Sequence, residues 1–379
     1  MKTITKFIFG FPLALACGSI AFAQVPVTPA DSAAKAAAQG AAPVGAPVSQ
    51  TLAFASGSRW HLTVNAVNRF GLIITGASFQ KSPTSPFIFV LFDGRLAEIF
   101  VPYHPGHPRV GDISQFAFQP LTLNQANFPP PRQIIGGGKI CKDVRDYLAW
   151  MTDTRVRYGQ EVVYFSVLNA GNYDYIVEWT FRDDGAILVR AGSTGPKLPG
   201  APTIGHMHNF TWRLDIDLNG AGGDSAYLTS HLEDLTVSPS IATDQSDLIS
   251  VEGSRVWNPQ NFNTLEIFDS ALQNGNGRAT SYELQPMRSG TARHTEPLSK
   301  KDFWVTRNNS AEILAVNLPT YIRDRQSTIN EDLVIWYTGS EHHETDSRDE
   351  DFNTVPVLWT GFQLIPNNLF DHTPFFPNP

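Results

Sequence analysis

Cysteine is nearly absent from this chain: its 379 residues include two, Cys17 and Cys141. A basic excess is missing as well, since 28 Lys and Arg face 36 Asp and Glu for a net charge of −8. That balance excludes nucleic acid as the expected partner, because phosphate contacts need a basic surface. It mildly favours cationic ligands. No long run at helical period is present, and no apolar run beyond the first residues is long enough to span a bilayer. What the chain has in quantity is turn formers and aromatics, with 29 Gly, 27 Pro, 25 Phe and 8 Trp. This composition suits a globular all-β protein of one large or two ordinary domains.

The first residues read as a processing signal. Lys2 and Lys6 flank the start of an apolar stretch from Phe7, and Ala21-Phe22-Ala23 offers a small-x-small cleavage site before Gln24. This is the pattern of a signal peptide over residues 1–23. A lipoprotein reading through Cys17 is weaker, because Ala14-Leu15-Ala16 lacks the large apolar residue three positions before the cysteine. An uncleaved anchor is disfavoured by the interruptions at Gly10, Pro12 and Gly18. The expectation is an exported protein, periplasmic or secreted, with no membrane span after cleavage. Cleavage removes Lys2, Lys6 and Cys17, leaving 26 basic against 36 acidic residues, a net of −10. Cys141 then remains alone, so no intrachain disulfide is expected even in an oxidising compartment. Residues 24–50 are rich in Ala, Pro, Gly and Gln, cannot supply a core, and read as a disordered tether. The folded domain is expected over residues 51–379.

Strand signals dominate that region. FIFVLF and LAEIFVPY suit two strands joined at a turn through Asp93-Gly94-Arg95. VVYFSVL, YDYIVEWTF and AILVRAG follow, with a hairpin turn at Arg182-Asp183-Asp184-Gly185 between the last two. HNFTWRLDIDL alternates cleanly, and EDLVIWYTG is another strong strand. The density of strands predicts a large β-sandwich. Residues 229–265 and 285–310 read as long loops or extended hairpins, and the Pro-rich tail after Asn353 as a surface wrap.

Two short patterns carry chemistry. Side chains two apart on a strand share a face, so His206 and His208 can reach one metal ion. Imidazole suits Cu(II) or Zn(II), although two nearby surface histidines would show the same spacing. Phe210, Trp212, Leu214 and Ile216 continue that face. Thr211, Arg213, Asp215 and Asp217 occupy the other, where the acids form either a solvated edge or a hard-cation site. The second pattern, Asn172-Tyr173-Asp174-Tyr175, leads into IVEWTF. By spacing alone Tyr173 is more readily a structural aromatic than a catalytic one.

The segment LNAGNYDYIVEWTFRDDGAILVRAGSTG resembles the cofactor-bearing strand and hairpin of copper amine oxidases, whose motif is Thr-x-x-Asn-Tyr-(Asp/Glu)-Tyr. Asn169 stands where the motif has Thr. The match implies that Tyr173 is the precursor of topaquinone and that Asn172 positions it. GHMHNFTWRLDIDLNG resembles the family's copper strand, which gives His206 and His208 as ligands. LVIWYTGSEHH resembles the strand and turn that supply the third ligand; counted from Trp336 this is His343, with His342 the alternative. DFNTVPVLWTGFQLIPNNLFD resembles the family's C-terminal segment. A secondary cation site for Ca(II) or Mn(II) is also implied, built from Asp215, the Ile216 carbonyl, Asp217, Asp332 and the Leu333 carbonyl. RLAEIFVPYHPGHPRVGDISQF resembles LAEMxVPY followed by a loop that ends in the catalytic Asp. Tyr103 then matches the tyrosine that hydrogen-bonds the cofactor. Asp112, the loop's one acid, matches the base, a loop-capping Asp being the plain alternative.

The resemblance covers most of residues 90–375 and omits the small N-terminal domains of full-length members. It implies the family's β-supersandwich with hairpin arms, a homodimer, Cu(II) and topaquinone. The implied reaction converts a primary amine and dioxygen to an aldehyde, ammonia and hydrogen peroxide. Cys141 matches one cysteine of the family's disulfide, whose partner is missing. A non-catalytic periplasmic copper-binding relative is the alternative function. A sandwich dioxygenase with two His on a mononuclear metal would want a carboxylate close by and leaves Asn-Tyr-Asp-Tyr unexplained. Aromatic monoamine, aliphatic monoamine and diamine substrates all stay open from sequence.

Overall fold

Alternation of apolar and polar residues puts every second side chain on one face of an extended chain, and nearly every such run here becomes a strand. The computed structural model describes residues 44–103, 108–197, 204–287, 294–350 and 355–375. In chain order the first strands are β1 (Val48–Ala53), β2 (Arg59–Val67), β3 (Gly71–Gln80), β4 (Phe87–Pro102), β5 (Arg109–Gly111), β6 (Gln119–Pro120) and β7 (Gln133–Ile135). Next come β8 (Ile140–Met151), β9 (Val156–Asn169), β10 (Asp174–Arg182), β11 (Ile187–Thr194), β12 (His206–Ile216), β13 (Asp224–Asp234) and β14 (Ile241–Ile249). The last are β15 (Gly253–Arg255), β16 (Thr264–Gln273), β17 (Ala279–Pro286), β18 (Phe303–Arg307), β19 (Leu333–His343) and β20 (Leu358–Asn367).

Two large antiparallel sheets result, as the all-β expectation required. One has nine strands in the order β1-β2-β3-β4-β12-β19-β18-β15, with β5 beside β4. The other has eleven in the order β14-β13-β16-β17-β20-β11-β10-β9-β8-β7, with β6 beside β9. Aromatic side chains join the two sheets. Trp60 of the first meets Phe181 of the second at 5.3 Å, and Trp212 and Tyr337 meet Phe362 at 5.3 and 5.4 Å. Burying each such ring stabilises the sandwich by roughly 1.5–3 kcal/mol.

The structure corrects two readings of the sequence and decides between alternatives in a third. Asp93-Gly94-Arg95 is not a turn, because β4 runs unbroken through it. Gly94 meets the opposite sheet so closely that a Cβ would lie 2.5 Å from Trp179 Cη2. Glycine here answers a close approach of two sheets, not a chain reversal. Asp93 and Arg95, on the other face of β4, form a buried ion pair with Nε to Oδ1 at 2.7 Å. Secondly, of the two readings open for Asp215 and Asp217 the solvated edge is excluded, and Thr211 and Arg213 share their burial. β12 lies between β4 and β19, and all four side chains are buried. Arg213 donates to the Glu312 carbonyl and to Asn308 Oδ1, each at 3.0 Å, so the chain around 308–312 covers that face. Thirdly, the tail after Asn353 does not merely wrap the surface. Its β20 is an interior strand between β17 and β11, with Phe362 and Leu364 buried and Pro366 near its end.

The Arg182–Gly185 turn is as read. Arg182 N–H donates to Ala186 O at 3.0 Å, and Gly185 adopts φ +87°, a conformation open to glycine. Residues 229–265 include most of the β13–β14 hairpin, whose outer strand β14 exposes eight of its nine residues. β1 begins at Val48, three residues before Thr51. The signal-peptide segment and most of the tether lie outside the described residues. Among the described residues no helix is long and apolar enough to cross a membrane.

Candidate active site

The site forms where one end of β12 meets the end of β19. Their antiparallel register sets His206 opposite His343, Met207 opposite His342, and His208 opposite Glu341. Strand alternation sends His206, His208 and His343 inward together, whereas the His342 side chain is half-exposed on the other face. The structure therefore brings His343, not His342, to the pair. His206 Nε2 and His208 Nε2 are 3.2 Å apart, and one ligand nitrogen from each of the three imidazoles lies within 4.8 Å of the others. Burial pushes all three pKa values down, reinforced at His206 by the neighbouring His343 and at His208 by both other rings; His206 falls to about 4. The rings are thus neutral at pH 7 and offer lone pairs. Their outer nitrogens have acceptors that set the tautomer: His206 Nδ1 lies 3.4 Å from the Ile204 carbonyl, and His343 Nε2 lies 3.3 Å from Asp349 Oδ1. That leaves His206 Nε2 and His343 Nδ1 facing inward as bases. Three neutral imidazoles of this geometry fit Cu(II).

The opposite sheet supplies the tyrosine. Tyr173 immediately precedes β10, and its hydroxyl lies 3.0 Å from His206 Nε2 and 2.9 Å from His343 Nδ1. The phenol is buried, which pushes its pKa far up. Tyr103 hydrogen-bonds Tyr173 and sets its own ring 4.6 Å from that of His206. Asn172 is tied back by a 2.9 Å bond from Nδ2 to the Pro196 carbonyl. Gly195, at φ +123°, lets this loop close: a Cβ there would lie 2.2 Å from the Asn172 carbonyl oxygen.

Asp112 opens a one-turn helix, Asp112–Gln115, just after β5. The Tyr175 hydroxyl donates to Asp112 Oδ2 at 2.7 Å. Burial raises the Asp112 pKa to about 7, against the lowering effect of that hydrogen bond and with a further push from the Glu98 charge. Glu98 Oε1 accepts the backbone N–H groups of Ile113 at 2.9 Å and Ser114 at 3.3 Å, satisfying donors that the helix start leaves open. Tyr103, Asp112, Asn172, Tyr173 and Tyr175 all line one cavity of about 950 Å³.

A second cluster lies at the other end of β12. Carboxylate oxygens of Asp215, Asp217 and Asp332 lie within 4.8 Å of one another, and Ile216 pairs with Leu333 across the β12–β19 ladder. Asp215 also meets Arg213 Nη1 at 3.2 Å, and Asp332 Oδ2 accepts from Asn308 Nδ2 at 3.0 Å. Asp224, fully buried, joins them; burial first, then the charges of Asp217, Asp269 and Asp332, push its pKa up to about 9. Such an oxygen-only donor set fits a hard cation.

Sequence reasoning missed Tyr175, Glu98, Glu341, Asp349 and Asp224 as contributors. Two were within reach of strand periodicity, since Tyr175 stands two residues after Tyr173 and Glu341 two before His343. Glu341 is buried 4.0 Å from His208 Nδ1 and accepts from Ser193 Oγ at 2.5 Å. Asp349 and Asp224 meet His343 and Asp217 across loops, and Glu98 meets the helix start across the loop after β4, so no strand period marks any of the three.

Residues 199–379 match the family model described as copper amine oxidase, enzyme domain. Primary amine oxidase 2 of Arabidopsis thaliana is 24% identical over 394 residues, covering 84% of this chain and 57% of that protein. The primary amine oxidase of Klebsiella aerogenes is 25% identical over 403 residues, covering 83% of this chain and 52% of its own length. The chain thus spans a little over half the length of the curated relatives it matches. In fold it is similar to a copper-containing benzylamine oxidase from Hansenula polymorpha, with a TM-score of 0.68, 18% identity, and coverage of 85% of this chain and 62% of that one. The chain is thus similar to copper amine oxidases twice over, in sequence to their enzyme domain over residues 199–379 and in fold over most of its length.

Proposed function

We propose that this chain oxidises a primary amine to an aldehyde, releasing ammonia and hydrogen peroxide, with copper on His206, His208 and His343 and topaquinone made from Tyr173. The observation that carries the reading is the position of the Tyr173 hydroxyl, 3.0 and 2.9 Å from two converging imidazole nitrogens. A phenol held there is poised for oxidation by a metal the same nitrogens would bind. A surface histidine pair or a purely structural tyrosine has no need of that arrangement.

Copper with dioxygen would supply the oxidation of the Tyr173 ring, and the resulting quinone would act as the electron sink for the amine. The chain's own residues do the rest. Tyr103 donates or accepts at the Tyr173 oxygen and fixes the ring's orientation. Asn172, anchored on Pro196, holds the loop in which the ring sits. Asp112 faces the same cavity with a pKa of about 7, matched to taking a proton from the substrate's α-carbon near neutral pH. Tyr175 keeps that carboxylate aimed by its 2.7 Å bond. Asp215, Asp217 and Asp332, with the Ile216 and Leu333 carbonyls, would hold Ca(II) or Mn(II). Export through the 1–23 leader and assembly as a homodimer belong to the same proposal, supported by the leader's residue pattern and by the family resemblance.

The test is purification with copper under air, followed by a visible spectrum and phenylhydrazine titration. The wild-type protein is expected to be coloured and to react. Tyr173→Phe is expected to keep copper, measured by metal analysis, and to lose both colour and reaction. A quinone signal that survives Tyr173→Phe refutes the assignment. A colourless wild type that holds copper would favour the non-catalytic copper-binding alternative.

A further inference from the structure

We infer that the cavity beside Tyr173 selects an arylalkyl monoamine and rejects a diamine; the inference rests on the proposed amine oxidase reading. Among the described residues that line the cavity, Asp112 is the one acid. Asp112 is committed to the reacting carbon, so the far ammonium of a diamine would have to shed its water with no second carboxylate among those residues to receive it. Arg109, the one cation among those residues, offers the ammonium no acceptor. Glu296 pairs with Arg109 through Nε and, at 2.5 Å, through Nη2. The contact lowers the Glu296 pKa and raises that of Arg109, so each is held charged by the other.

The wall that remains is apolar. Phe116 and Phe118 stack at 5.3 Å with their planes 22° apart, and Val101 and Val110 contribute to the same lining. Phe116 stands four residues after Asp112 and is 45% exposed. An aryl group in the cavity would cover this pair in a preferred stacking arrangement. A flexible alkyl chain gains burial there but no ring geometry.

The experiment has two arms. In the first, copper-reconstituted protein whose quinone has been counted with phenylhydrazine is assayed for peroxide with 2-phenylethylamine, n-butylamine and 1,4-diaminobutane. The expected kcat/KM for 2-phenylethylamine exceeds that for the diamine by about a hundredfold and that for butylamine by about tenfold. Phe116→Ala is expected to raise KM for 2-phenylethylamine by about tenfold with kcat little changed, and to raise that for butylamine by no more than about threefold. The second arm measures binding of the same three amines to Tyr173→Phe by calorimetry, where no quinone can form and no turnover intrudes. The same rank order of affinity is expected. Equal or better use of the diamine in either arm overturns the inference, as does butylamine matching the aryl amine. Absence of quinone in the first arm would count against the oxidase reading alone, because the second arm still decides the selectivity.

Discussion

Asp112 acts as a base only as the carboxylate, and its environment keeps it protonated to about pH 7. The expected kcat/KM therefore rises with pH through about 7 and drops about tenfold per unit below it. Tyr175→Phe removes a hydrogen bond that favours the charged form, so the acid limb should move to higher pH. Asp112→Asn should lower kcat by about 10²–10⁴ while phenylhydrazine still reacts. A pH profile on all three proteins checks this, and an unshifted limb in Tyr175→Phe would count against Asp112 as the titrating group. At this scale the sequence was informative where motifs are local. Tyr173, Asn172 and the histidine pair sit within short readable segments, and the resemblance supplied a reason to choose among aromatics. The pairing of Tyr175 with Asp112 spans 63 positions and that of Ser193 with Glu341 spans 148. No local pattern signals such contacts, because they arise only when two sheets close on one another.

Among the elements, β12 and β19 decide which histidine can serve. A one-residue step along β19 reverses the side of the sheet, and the ladder fixes His343 inward and His342 outward. His343→Ala is expected to lose most bound copper, and His342→Ala to keep it, by metal analysis of proteins purified in parallel. Copper loss in His342→Ala instead would show that the register of β19 slips in solution. Most strands were legible from alternation, yet β4 was read as two. Asp93-Gly94-Arg95 carries the local chemistry of a turn, and what overrides it is Trp179 arriving from the other sheet. The buried polar face of β12 was equally opaque, since Thr211, Arg213 and Asp215 look solvent-facing until the 308–312 segment is folded over them.

For the molecule as a whole, the aspartate cluster at the end of β12 is an electrostatic debt that a cation would cancel. A cation at about a hundred times its Kd adds ~2.7 kcal/mol to stability. Chelation of the secondary site should therefore lower Tm by several degrees, and Ca(II) should restore it. Running the melt on copper-free protein separates this effect from that of the histidine site. Asp217→Asn should abolish the Ca(II) response, and an unchanged response would exclude Asp217 from the site. A further consequence follows from the place of β20 between β17 and β11. Until residues 358–367 have left the ribosome, the eleven-stranded sheet consists of two separate pieces with an open seam. Strands β11 and β17 both wait for that one partner, so the sheet cannot close until β20 has been made. A ribosome that stalls shortly before β20 would release a chain with two exposed, unpaired sheet edges, the kind of surface that chaperones hold and that aggregates when they do not.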